Sequence, residues 1–133
     1  MEKIERIKLL DRKFKTMIPA EEIDKAVQRV ADQLNERYKG KTPIFLGVLS
    51  GAFLFLSDLV RKTKFDCRLA FVKISSYEGT QSTGSIKQHL GIDFDIEGKD
   101  IIIVEDIVET GHSMNYLLDY LKERNPASVS ICT

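Results

Sequence analysis

Two adjacent carboxylates, Glu105 and Asp106, directly follow four β-branched apolar residues, Ile101, Ile102, Ile103 and Val104. After Ile107 and Val108 comes a short turn of Glu109, Thr110, Gly111, His112 and Ser113. Paired acids accept hydrogen bonds from sugar hydroxyls and are also available to a divalent cation. The turn opens an amphipathic segment, and the free N–H groups and positive dipole end of a helix favour a phosphate. Gly111 lets a backbone come close to such an anion. Acids beside a phosphate cradle point to a sugar phosphate, with a divalent metal for charge balance. The competing structural roles are plain. Thr110 or Ser113 could be an ordinary helix cap, and Glu109 a first-turn acid favoured by the dipole. A cap and a phosphate site share the same geometry, so these readings coexist.

The elements that must hold these residues follow from pattern. An unbroken Ile/Val run reads as a strand buried on both faces, as in parallel sheets. In open parallel sheets, ligands bind at the carboxyl ends of the strands. Residues 19–38 carry one helical stripe of Ile23, Ala26, Val27, Val30, Ala31, Leu34 and Tyr38, with Pro19 at the start and Gly40 at the stop. Residues 42–49 and 67–75 read as strands, with a helix over 52–63 between them. A helix striped by Met114, Leu117, Leu118 and Leu121 ends near Asn125–Pro126, and residues 127–133 begin a further strand. Alternating strands and helices predict an α/β domain with an open, mainly parallel sheet flanked by helices.

Residues 75–88 break that rhythm. They are polar, contain two glycines and lack helical periodicity. Long loops in compact domains are usually functional or disordered. Residues 89–96 alternate like a strand, so the loop is expected between extended arms, as a flap that closes over a site.

Composition narrows the classes. The 133 residues are 43% hydrophobic and 30% charged, enough for one domain with a real core. The 20 basic and 20 acidic side chains cancel, which gives no support to a bulk nucleic-acid or membrane surface. Cys67 and Cys132 lie in apolar runs with no Cys-x-x-Cys or Cys/His cluster, and read as reduced core residues of a cytoplasmic protein. No apolar run reaches membrane-spanning length.

Three motifs together resemble the purine phosphoribosyltransferases, specifically the hypoxanthine (hypoxanthine-guanine) branch. They are GVLSGAFLF at 47–55, SSYEGTQSTGSIK at 75–87 and VEDIVETGHSM at 104–114. The resemblance spans essentially the whole chain and implies a type I phosphoribosyltransferase fold in a single domain, 1–133. It implies magnesium-dependent transfer of ribose 5-phosphate from phosphoribosyl pyrophosphate to hypoxanthine, and to guanine, in purine salvage. Glu105 and Asp106 would then lie on the ribose and metal side, and Thr110, Gly111, His112 and Ser113 at the 5′-phosphate. His112 is read there as an exposed loop side chain and not as a metal ligand. Leu49, Ser50 and Gly51 would line the pyrophosphate side, and Ser76 and Tyr77 would cap the closed site. A homo-oligomer, dimer or tetramer, is expected, with no nucleic-acid or membrane partner.

The chain departs from the family at three points. Glu109 stands where relatives usually carry aspartate, assigned as the acid/base partner of purine N7. Ser50 replaces a lysine that is common but not universal, and the Leu49–Ser50 peptide is cis in many relatives. Family members continue beyond the position of Thr133 through base-binding residues, so the chain is expected to be a truncated or partial version of a longer enzyme. Purine choice is therefore open, with xanthine or broader 6-oxopurine specificity as the alternative. A phosphoribosyltransferase-fold RNA-binding regulator, or a binding-only remnant, is the alternative of another class.

Overall fold

The computed structural model describes residues 6–76 and 86–133. Five strands form one sheet in the order β5-β4-β3-β6-β7. They are β3 (Ile44–Leu49), β4 (Arg68–Ser76), β5 (Ile86–Leu90), β6 (Asp100–Val104) and β7 (Ser128–Cys132). β3 pairs in parallel with both β4 and β6, and β6 with β7, while β5 runs antiparallel to β4. The expected mainly parallel sheet is therefore present, with one antiparallel edge.

Successive side chains point to opposite faces and both faces are covered, which is why β3 and residues 101–104 of β6 carry no polar side chain. Phe45, Ile102 and Val104 face one side, where α1 (Ala20–Arg37) and α2 (Phe53–Lys62) contribute Val27, Ala31, Leu34, Leu56 and Leu59. Ile44, Leu46, Val48, Ile101 and Ile103 face the other, against Met114, Leu117 and Leu121 of α3 (His112–Lys122). Each face buries aliphatic surface worth roughly 25 cal/mol per Å². Pro19 precedes α1, where its carbonyl accepts from the Glu22 and Ile23 N–H groups, and the chain leaves the helix through Gly40 at φ 75°. A Tyr38–Ser130 hydroxyl pair at 2.8 Å ties the end of α1 to β7.

Two local expectations need correction. The strand expected at 89–96 forms instead at Ile86–Leu90, and residues 75–76 belong to β4. The alternation of Ile92, Phe94 and Ile96 reflects burial without a ladder. Ile96 is buried, Ile92 and Phe94 pack on the same core, and the Arg68 guanidinium stacks 3.5 Å from the Phe94 ring centre. The segment expected as a lid, 75–88, has strand at both described ends, while its middle, 77–85, lies outside the described residues. A hairpin of β1 (Arg6–Leu9) and β2 (Arg12–Lys15), turning at Leu10 with φ 55°, was not expected from the sequence. All its residues are exposed, so no core pattern announced it. Both cysteines are free. Cys132 is buried and Cys67 half-buried, and burial pushes both thiols up.

Candidate functional site

β6 ends at Val104, and its last rung continues through the Glu105 N–H donating to the Cys132 carbonyl at 3.0 Å. That bond fixes the backbone from which the acids emerge. Glu105, Asp106, Ile107, Val108, Glu109, Thr110, Gly111, Ser113 and Met114 line one cleft of about 340 Å³. The loop is organised by its own acids. The Asp106 N–H donates to Glu105 Oε1 at 3.0 Å, and the Ile107 N–H to Asp106 Oδ1 at 2.7 Å. Gly111 takes φ 82°, a left-handed conformation that side chains rarely tolerate, and swings the chain into α3. Among the described residues no side chain caps this helix. Thr110 Oγ1 accepts only a long 3.4 Å contact from the His112 N–H. Among the described residues the first turn of α3 thus has no strong side-chain acceptor for its N–H groups, the condition an anion site requires.

The loop after β3 comes to the same place. The Leu49–Ser50 peptide is cis. Gly51 lies so close to Asp106 that a Cβ there would collide with the Asp106 carboxylate. The residues expected on the pyrophosphate side are thus brought against one of the two acids expected on the ribose side. Leu49 and Ser50 stand at this junction, outside the wall of the cleft itself. His112 is exposed and does not line the cleft, in keeping with its reading as a loop side chain. Ser76 is the last residue of β4, and Tyr77 lies outside the described residues. Ile107, 67% exposed, and Val108, 40% exposed, were missed in the sequence. They give the acidic cleft an apolar wall. The available signal was two apolar residues in an acid-rich loop, beyond the reach of the core. A larger hollow of about 560 Å³ runs along α1 and includes Ile18, Ile23 and Phe55, but none of the acid or phosphate-turn residues.

The two acids differ in protonation. Burial, then a hydrogen bond shared with Asp106, pushes the Glu105 carboxyl up to about 7. Asp106 is held below the usual carboxylate range, first by the bond from Glu105 and then by the Ile107 N–H. Of the two acids, Glu105 keeps its proton to the higher pH. Between the ordinary glutamate value of about 4.5 and about 7, the folded protein holds a proton that the unfolded chain has lost. The stability that Glu105 contributes is complete below that window and declines as pH rises through it, whereas the Asp106 contribution has the opposite sign and is lost only at lower pH. Melting of the ligand-free protein is expected to fall between about pH 5 and pH 8, and Glu105→Gln to flatten that decline. An unchanged slope in the variant would mean that the proton sits elsewhere.

The donor set suits magnesium. Among the described residues no cluster of three or more His, Cys, Asp or Glu forms a complete cage. Two adjacent carboxylates facing an open cleft match the way magnesium is held, by one or two acids together with substrate oxygens and water.

Residues 18–133 match the model of the phosphoribosyl transferase domain. A parallel-sheet fold with acids and a phosphate turn at its carboxyl edge is the architecture of that class, and the chain belongs to the phosphoribosyltransferase family. Within it, the chain falls with the hypoxanthine and hypoxanthine-guanine enzymes. It is 35% identical over 125 residues to the hypoxanthine-guanine-xanthine phosphoribosyltransferase of Tritrichomonas foetus, covering 94% of this chain and 68% of the relative. It is 38% identical over 120 residues to the hypoxanthine-guanine phosphoribosyltransferase of Streptococcus pneumoniae, covering 90% and 67%. A solved hypoxanthine-guanine phosphoribosyltransferase from Bacillus anthracis superposes with a TM-score of 0.82 at 34% identity, over 89% of this chain and 70% of that one. The chain spans about two thirds of the length of these relatives.

Proposed function

We propose that the chain transfers ribose 5-phosphate from phosphoribosyl pyrophosphate to a 6-oxopurine, hypoxanthine or guanine, in purine salvage. The observation that carries this reading is the meeting of Gly51 with Asp106 beside the turn at 110–113. It brings together, at the carboxyl edge of one sheet, the residues that we assign to the pyrophosphate, the ribose hydroxyls and the 5′-phosphate.

In the reaction, the bond from the anomeric carbon to pyrophosphate breaks and a bond to purine N9 forms. The sugar gains oxocarbenium character as pyrophosphate leaves with its electron pair. Asp106, and Glu105 once it has lost its proton, accept from the ribose hydroxyls and fix the ring. The N–H groups of residues 111–113 and the hydroxyls of Thr110 and Ser113 hold the 5′-phosphate. Fixed donors and acceptors of this kind lower the barrier because they need no rearrangement as charge develops. Ser50 and Gly51 offer a hydroxyl and backbone N–H groups to the departing pyrophosphate. Glu109 takes the proton released from purine N7. Ile107 and Val108 supply apolar surface for the flat base. Glu105 and Asp106 are the residues that would hold magnesium, which would offset negative charge on the pyrophosphate.

The same reading places the protein in the cytoplasm as a homo-oligomer. No helix among the described residues is long and apolar enough to cross a membrane.

The test is pyrophosphate release with phosphoribosyl pyrophosphate and magnesium, with each purine added in turn. Release that depends on hypoxanthine or guanine, with matching nucleoside monophosphate, is expected. Adenine should give none, and a xanthine-dependent release would mark the broader specificity. Salt-dependent RNA binding without purine-dependent release would favour the regulator class. Binding of phosphoribosyl pyrophosphate without turnover would leave a binding module.

A further inference from the structure

A second set of contacts reaches the phosphate turn from the far side of α3. Its buried stripe is Met114, Leu117 and Leu121. Beside that stripe, one helical turn apart, stand Tyr116 and Tyr120, with Arg124 just beyond the helix. The Tyr116 hydroxyl donates to Gln88 Oε1 at 2.8 Å. The Tyr120 hydroxyl accepts from the Ile92 N–H at 3.0 Å. Arg124 lies 3.8 Å from the Tyr120 ring centre, and its guanidinium donates to the Tyr120 carbonyl at 2.8 Å. All three are half-buried. Gly91 fills the remaining space. A Cβ on it would stand 2.5 Å from the Gln88 amide nitrogen and 2.8 Å from the Tyr120 hydroxyl.

These groups clamp residues 88–92, where β5 leaves the sheet, to the helix that opens at the phosphate turn. β5 is an edge strand with a register shift opposite Lys73/Ile74. Beyond this pairing with β4, α3 supplies a second anchor. Tyr116 lies about one turn from His112 and Ser113, so fixing its hydroxyl fixes the first turn of the helix. None of these side chains lines the cleft.

We infer that Tyr116 and Tyr120 are positioning residues for the 5′-phosphate turn, Tyr116 acting through Gln88 and Tyr120 through the Ile92 N–H, in the space kept open by Gly91. The inference rests on the transferase reading for its ligand but not for its geometry. Small displacements of a binding group are costly in sites that work by alignment. Losing one half-buried hydrogen bond that sets the turn is expected to weaken phosphoribosyl pyrophosphate binding about 3- to 10-fold.

The experiment compares Tyr116→Phe, Gln88→Met, Gln88→Glu and Gly91→Ala with the parent protein. Phosphoribosyl pyrophosphate with magnesium is titrated calorimetrically, melting is recorded, and hydrogen exchange is followed at the Asn115 amide. That amide closes the first turn of α3 on the Gly111 carbonyl at 2.8 Å. Tyr116→Phe, Gln88→Met and Gly91→Ala are expected to speed exchange at Asn115 and weaken binding, with melting nearly unchanged. Gln88→Glu keeps the acceptor for Tyr116, gives up only the long 3.4 Å contact from the amide to the Leu90 carbonyl, and is expected to bind as the parent does. Unchanged Asn115 exchange in Tyr116→Phe overturns the inference, as does faster exchange with unaltered affinity. A general loss of protection across β3 and β6 would mark a merely structural role and overturns it as well. If the parent itself fails to bind phosphoribosyl pyrophosphate, the transferase reading falls, and Asn115 exchange still decides whether the clamp exists.

Discussion

Asp106→Asn is expected to lower turnover by about 10²-fold or more while leaving the melting temperature close to that of the parent. The side chain is exposed and contributes nothing to either core cluster. Asparagine keeps an oxygen for the Ile107 N–H, so the loop retains its 2.7 Å bond and its shape. What disappears is the negative charge, in the group placed against Gly51 and held ionised by its neighbours. Surface substitutions of this kind usually change stability by no more than about 0.5 kcal/mol. The variant should also bring Glu105 back toward its ordinary range, because the Asp106 charge and hydrogen bond both help to raise it. Paired measurement of turnover and melting decides the matter. Parental turnover in the variant would remove Asp106 from the site.

The second large effect belongs to Glu109. Glu109→Gln keeps size and shape but loses the proton acceptor, and is expected to cost about 10²–10⁴-fold in turnover. Glu109→Asp shortens the side chain by one methylene to the residue usual in the resembling family, and is expected to match or exceed the parent. The side chain is exposed at the lip of the cleft, with room for either length. Activity over a pH series separates a lost acceptor from a misplaced one. Two variants that both follow the parental profile would show that the purine proton leaves by another route.

Much of this arrangement was legible in residue order. The run from Ile101 to Val104 is apolar at every position because both faces of β6 are covered, as the centre of a parallel sheet requires. The acids and the turn after it followed from strand polarity alone. Where the signal failed, the physics differed. The segment 91–96 alternates because Ile92, Phe94 and Ile96 each turn toward the same core, Ile96 buried and the other two partly so, whereas hydrogen-bonded pairing had already ended at Leu90. Alternation records which side chains face inward and says nothing of who holds the backbone. The hairpin at 6–15 is charged at more than half its positions and meets no core, so nothing marked it as paired. The clamp was hidden for another reason. Tyr116 and Tyr120 look like ordinary members of a helix, and their partners Gln88 and Ile92 belong to a stretch read as a loop and its outgoing arm. Likewise, no spacing in the sequence says that Gly51 must make room for Asp106.

The central position of β3 also has a kinetic meaning. Its two neighbours are both parallel, and parallel partners can be reached only through long crossovers. No pair of loops at the site is joined by a tight turn, so none can assemble from local chain. Each juxtaposition waits on a distant closure, and topologies of that kind fold slowly. During that interval the segments 44–49 and 101–104, later the most sheltered in the molecule, are the ones with the most apolar surface to offer a neighbouring chain. Ligand-binding competence should therefore appear together with the completed sheet and never ahead of it. The chain's exposure to misassembly is set by the same two strands that carry its chemistry.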